Sequence, residues 1–131
     1  MSMLEKVHHL AIIASDIEVS KRFYCDILGF TILAETYRSE RDSWKVDLAL
    51  NGDYLIELFS FPDAPARVNQ PEARGLRHLA FAVRDMAAAV AELQARGLEL
   101  EAVRVDDLTG SAYTFFKDPD GLPIELVETK D

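Results

Sequence analysis

Along most of this chain, isoleucine, leucine and valine alternate with smaller or polar residues. Glycine, proline and asparagine break the alternation at intervals. Residues 6–14 alternate and are rich in isoleucine and leucine, which predicts a strand. Ser15 and Asp16 follow, both helix-capping types. Ile17, Phe23, Tyr24, Ile27 and Leu28 then recur near helical spacing until Gly29 stops the run. Strands are expected next at about 30–37, 44–51 and 54–59, with Asn51-Gly52 as a hairpin turn between the last two. The second half reads the same way: a strand near 77–83, an alanine-rich helix near 86–96, and strands near 100–105, 111–117 and 123–128. Asp118-Pro119-Asp120-Gly121 supplies the last tight turn. Segment 60–75 holds Pro62, Pro65 and Pro71 without periodicity and reads as a linker.

The two halves are therefore a repeat, and they match residue by residue. Asp16 and Asp85 are 69 apart, and Gly29 and Gly97 are 68 apart. His9, in Val7-His8-His9-Leu10-Ala11-Ile12, matches His78, in Leu76-Arg77-His78-Leu79-Ala80-Phe81, again at 69. Glu57, in Leu55-Ile56-Glu57-Leu58, matches Glu125, in Pro123-Ile124-Glu125-Leu126, at 68. The expected division is one domain over 1–131, with modules at 6–59 and 76–129 and the linker at 60–75.

Each of these four residues interrupts an apolar run. Burying an unpaired carboxylate costs several kcal/mol, so each needs a partner. One such histidine or glutamate alone would read as a satisfied core group or the solvent face of an edge strand. Four in register point to a shared cation. By strand alternation His78 shares its face with Ala80 and Ala82, and His9 with Ala11 and Ile13, so small neighbours leave room beside both rings. His8 is the rival to His9. Alternation puts it on the opposite, core-facing side, and His9 keeps the seven-residue step to the capping aspartate, so His9 is preferred. Two histidines and two glutamates give mixed nitrogen and oxygen ligation. That suits one divalent ion per site, Zn²⁺ or Ni²⁺ first, then Co²⁺, Mn²⁺ or Fe²⁺.

Size and charge narrow the class. The 131 residues are 49% hydrophobic, enough for a core. No apolar run reaches the roughly 20 residues of a membrane helix, and the start of the chain lacks the features of a signal peptide, so a cytoplasmic protein is expected. The formal net charge of −9 argues against a nucleic-acid partner. Cys25 is the one cysteine and cannot form an internal disulfide.

With these pieces in place, the chain resembles the vicinal oxygen chelate superfamily, in its small glyoxalase I-like (YaeR-like) branch. The resemblance is carried by His9-Leu10-Ala11-Ile12 through Asp16, Phe23-Tyr24 to Leu28-Gly29-Phe30, Ile56-Glu57-Leu58, Gly75-Leu76-Arg77-His78-Leu79-Ala80-Phe81, and Asp118-Pro119-Asp120-Gly121 to Glu125. It implies an α+β fold of the glyoxalase/bleomycin-resistance/dihydroxybiphenyl dioxygenase type: tandem βαβββ modules forming an open curved-sheet barrel. It implies a homodimer in which one chain gives His9 and Glu57 to a site and the other gives His78 and Glu125. It also implies a small-molecule substrate whose adjacent oxygens bind the metal, which acidifies a carbon-bound proton and stabilises an enediolate. In glyoxalase I a ligand glutamate doubles as the base, which designates Glu125 first and Glu57 second. Many glutathione-using relatives have an arginine four residues after the first histidine, where this chain has Ile13. A dioxygenase, epimerase or thiol transferase of the same superfamily, or a non-catalytic binding dimer, are the competing readings. The dioxygenases use two histidines and one carboxylate, and the binding relatives usually lack the ligands.

Arg38, Arg41 and Lys45 lie close together in an acidic chain. With Arg74, Arg77 and Lys117 they are the candidates for an anionic substrate group, against the plain alternative of solvated charge. Asp47 shares a strand face with Lys45, either lining a cavity or facing water. Trp44, Phe59, Phe61, Tyr113 and Phe115 are expected chiefly in the core, with walling an apolar pocket as the alternative.

Overall fold

The computed structural model describes residues 1–130. The chain has an α+β fold of two compact units, Met1–Ala66 and Arg67–Asp131, each built on a four-stranded mixed sheet. In the first unit β1 (Leu10–Ala14) leads into α1 (Ile17–Arg22), followed by β2 (Thr31–Arg38), β3 (Ser43–Leu50) and β4 (Asp53–Ser60). In the second, β5 (Leu79–Val83) leads into α2 (Met86–Ala95), then β6 (Arg104–Val105), β7 (Ala112–Lys117) and β8 (Pro123–Glu128). The strand orders are β1-β4-β3-β2 and β5-β8-β7-β6, so the repeat read from the residues is a repeat of topology. In each sheet the first strand runs parallel to the last, and the others pair antiparallel. Among the described residues no helix is long and apolar enough to cross a membrane.

Alternation decides which face is core. Ile12, Val46, Leu48, Ile56 and Leu58 are buried on one face of the first sheet, and Phe116, Ile124 and Leu126 on one face of the second. The opposite faces carry Glu57 and Glu125. Two strands begin later than the alternation predicts, for different reasons. The ladder of β1 starts at Leu10 opposite Ile56, because the next partner, Leu55, is an extra residue in a bulge: Leu48 pairs with Ile56 but Ala49 with Tyr54. The ladder of β5 starts at Leu79 opposite Ile124, because Pro123 has no N–H to offer the residue before it. The strand expected at 100–105 is a ladder only at Arg104–Val105. Upstream of it the chain is tied to β7 by the Glu101 N–H donating to the Phe115 carbonyl at 2.9 Å.

The helices start where their caps predict. Asp16 accepts from the N–H groups of Glu18 (3.0 Å) and Val19 (3.2 Å), and Asp85 from that of Ala88 (3.0 Å). Replacing Asp16 with alanine is expected to lower stability by about 1 kcal/mol, measured as a lower urea midpoint with unchanged slope. The first helix does not continue to Leu28 as a regular helix: Phe23–Ile27 forms a wider π-type turn, for which the residues carry no signature. Gly29 and Gly97 end the two helical segments with φ of 88° and 92°, a conformation a β-carbon disfavours. Burial pushes the Cys25 thiol above its ordinary range, which disfavours the reactive thiolate.

Glu128 adds a pH-dependent support to the second unit. Its carboxylate accepts from the Met86 N–H at 2.8 Å, and this bond, then Lys130, holds its pKa below the ordinary carboxylate range. The support is complete above that ordinary range and is lost as pH falls through the lowered folded value. Acid unfolding of a Glu128→Gln variant is accordingly expected to show a weaker pH dependence than that of the wild-type protein.

Candidate metal centre

The bulge and the strand starts set the geometry of the first unit. Register places Asp47 beside Glu57 on the face opposite the core, with Lys45 and Phe59 paired in the next row. Under unbroken alternation Tyr54 would share the core face with Ile56. The bulge turns it onto the Glu57 face instead. Tyr54 Oη lies 2.9 Å from Asp47 Oδ1 and 3.0 Å from Glu57 Oε2. One phenol proton serves one carboxylate at a time. Lys45 Nζ supplies the other, at 3.2 Å from Asp47 and 3.6 Å from Glu57. Burial first, then the two carboxylates, raises the Tyr54 pKa well above its ordinary range, so the hydroxyl remains a donor.

His9 Nε2 stands 3.6 Å from Glu57 Oε1. The structure corrects the placement of His8. Both histidines precede the ladder, so alternation does not govern them, and His8 is exposed beside His9 rather than facing the core. The two Nδ1 atoms are 2.8 Å apart, so one ring must donate and the other accept. With the His9 proton on Nδ1, its Nε2 lone pair faces the Glu57 side. His8 is then the residue that sets the tautomer. Tyr54 stacks on His9, with centroids 5.4 Å apart and planes 25° apart.

In the second unit His78 Nε2 lies 3.3 Å from Glu125 Oε1, and its shielded Nδ1 has no hydrogen-bond partner among the described residues. Neither ring nitrogen is consumed by a structural bond. The surroundings differ from those of Glu57. Register puts Phe115 beside Glu125 where the first sheet has Asp47, and Tyr113 two residues away where it has Lys45. Leu122, three residues before Glu125 as Tyr54 is before Glu57, is buried. Glu57 is thus gripped by a polar network, whereas Glu125 sits against an aromatic wall with His78 as its near partner. A cavity of about 750 Å³ opens beside it, lined among others by His78, Tyr113, Phe115, Lys117 and Glu125.

Both pairs fit a cation. Two donors about 2.1 Å from one ion, at tetrahedral or octahedral angles, are separated by roughly 3.0–3.4 Å. The observed 3.3 and 3.6 Å are close to that, with both carboxylates mostly shielded from solvent. Among the described residues no group of three or more His, Cys, Asp or Glu is gathered for a metal, so each unit offers a pair of donors.

The remaining candidates separate. Arg77 lines the larger cavity but is held by both oxygens of Glu72, at 3.1 Å each. Lys117 lines the same cavity. Lys45 is committed to Asp47 and Glu57, Arg74 is exposed, and Arg38 and Arg41 lie over the rings of Phe59 and Phe61. The expectation of core aromatics fails for Tyr113 and Phe115, which wall the cavity, and for Trp44, which is exposed. Tyr113 and Phe115 alternate with buried Thr114 and Phe116 and so occupy the non-core face, whereas Trp44 has the parity of buried Val46 and Leu48 and is exposed near the start of its strand. Tyr54 escaped the sequence reading because only the bulge brings it to the site.

The model of the Glyoxalase/Bleomycin resistance protein/Dioxygenase superfamily matches residues 6–126. The chain is 63% identical over 125 residues to the uncharacterized protein YaeR of Escherichia coli (strain K12), covering 95% of this chain and 97% of that one. It is 59% identical over 126 residues to the uncharacterized protein YwkD of Bacillus subtilis (strain 168), covering 96% and 98%. The crystal structure of the glyoxalase family protein from Enterococcus faecalis matches with a TM-score of 0.91 at 47% identity, covering 97% of this chain and all of that one.

Proposed function

Because the chain belongs to the glyoxalase/bleomycin resistance protein/dioxygenase superfamily, we propose that it is a metal-dependent lyase or isomerase of glyoxalase I type. Its substrate is a small compound with two adjacent oxygens, α-hydroxy or α-keto, with or without a conjugated thiol. The observation that carries this reading is the pair of His–Glu couples at corresponding positions of two sheets, at 3.6 and 3.3 Å, close to the separation of neighbouring ligands. His9 and Glu57 of one chain, with His78 and Glu125 of the partner subunit in a homodimer, would hold one divalent ion, Zn²⁺ or Ni²⁺ before Co²⁺, Mn²⁺ or Fe²⁺. When bound, that ion would polarise the two substrate oxygens and so acidify the carbon-bound proton between them.

The two glutamates divide the work. Glu57 is fixed by Tyr54 and Lys45, which suits a permanent ligand. Glu125 carries no hydrogen bond among the described residues and adjoins the larger cavity, so it can take the proton from one carbon and return it to its neighbour. Tyr113 and Phe115 line the same cavity beside that carboxylate. Ile13, exposed on the Glu57 face, offers no pairing to a glutathione carboxylate.

Solvent deuterium reports this chemistry directly. Metal-loaded protein in D₂O is expected to introduce deuterium at the carbon beside the carbonyl of a hemithioacetal or α-hydroxy ketone, read by NMR. Metal-loaded protein that exchanges none of these protons would contradict the reading. Tyr54→Phe is expected to weaken metal binding by about 10–100-fold, the range for an outer partner of a ligand. Competition with a chromogenic chelator measures it.

A further inference from the structure

Among the described residues, Arg38 and Arg41 are two of several cations with no carboxylate partner, and of those they are the two that lie over aromatic rings. Acids outnumber bases 23 to 14. Lys21, Lys45, Arg77, Arg96, Arg104 and Lys130 all have carboxylate partners. Neither Arg38 nor Arg41 has one among the described residues, although Glu40 and Asp42 are their chain neighbours. Asp42 instead accepts from the Tyr37 hydroxyl at 2.6 Å. The guanidiniums lie on rings: the Arg38 Cζ is 5.0 Å from the Phe59 centroid and 6.0 Å from that of Phe61, and the Arg41 Cζ is 4.3 Å from Phe61. The rings themselves stack at 5.6 Å and 12°. Arg38 Nε is shielded from solvent and has no acceptor among the described residues. A buried donor left unpaired costs about 1–3 kcal/mol, and an oxyanion would relieve that cost.

The position of this pair matters. Arg38 opposes Ser43 in the ladder, two residues along from Lys45 and four from Asp47. It therefore projects from the same sheet face as Glu57 and Phe59. Phe59 is two residues beyond Glu57, roughly 7 Å along the strand. A guanidinium over a ring can still offer its Nη atoms to an acceptor.

We infer that Arg38 and Arg41, on the Phe59–Phe61 platform, form a subsite for the carboxylate or phosphate end of the substrate, whose reacting oxygens lie at the Glu57 end of the same face. The inference rests on the His9–Glu57 pair being part of the reaction site. The substrate class becomes an α-oxygenated carbonyl compound with a terminal oxyanion. Lys45 is not part of the subsite, because Asp47 and Glu57 occupy it.

The test is an NMR titration of the arginine Nε–H resonances at low ionic strength, with the chelator EDTA present and with methylphosphonate and acetate as probes. Chelation separates this test from the metal reading, which stands or falls on metal binding alone. The expected result is a saturable shift of the Arg38 resonance with at least one probe, the tighter one naming the oxyanion. Arg41→Gln and Arg38→Lys are each expected to weaken that binding about tenfold or more, while Arg96→Gln leaves it unchanged. Absence of a saturable Arg38 shift with either probe in the wild-type protein overturns the inference, as does binding that survives both variants.

Discussion

Glu125→Gln is expected to lower kcat by about 10²–10⁴-fold, the usual contribution of a positioned general base, while the protein keeps much of its metal. The amide retains an oxygen for ligation but cannot take a proton. The surroundings make the expectation specific to this glutamate. Glu57, at the matching place in the first sheet, is already engaged by Tyr54 and Lys45. Glu57→Gln should therefore act mainly through metal affinity, by loosening a ligand whose partners were arranged for a carboxylate. Parallel measurements of turnover and metal content separate the two. Equal losses of both quantities in both variants would count against a division of labour.

The second large effect concerns the histidines. His9→Ala and His78→Ala are each expected to weaken metal binding by more than about 100-fold, beyond the range for losing an outer partner. His8→Ala is expected to fall within about 10–100-fold, because it removes the ring paired with His9 Nδ1 and leaves the ligand itself in place. Isothermal titration with Zn²⁺ or Ni²⁺ gives all three affinities. If His8→Ala proved the most damaging, the roles of the adjacent rings would be reversed.

Most of the architecture was legible because it rests on local chemistry. Period-two alternation marked the buried faces around Ile56 and Ile124, Asp16 and Asp85 marked the helix starts, and Asn51-Gly52 marked a hairpin whose φ values are 51° and 87°. The repeat then paired the halves and led to the four candidate ligands. What escaped depends on departures from regularity. The extra residue Leu55 ends the β1 ladder before His9, frees His8 from the core face and turns Tyr54 toward Glu57. A second bulge, at Leu33, leaves that side chain exposed. Neither bulge has a glycine or other marker, so alternation alone put His8 on the wrong face and gave no sign of Tyr54. The contrast between Glu57 and Glu125 was hidden for the same reason: it appears only once cross-strand neighbours are known.

The central claim is that the two His–Glu pairs together hold one divalent cation for each chain. Its most direct test is the metal-to-protein ratio after loading with Zn²⁺ or Ni²⁺ and exhaustive dialysis, for the wild-type protein and for His9→Ala and His78→Ala. The account predicts one ion per chain in the wild-type protein and essentially none in either variant, because each variant breaks the same coordination sphere. A wild-type protein that retains no metal, or variants that each keep a full ion, would contradict it.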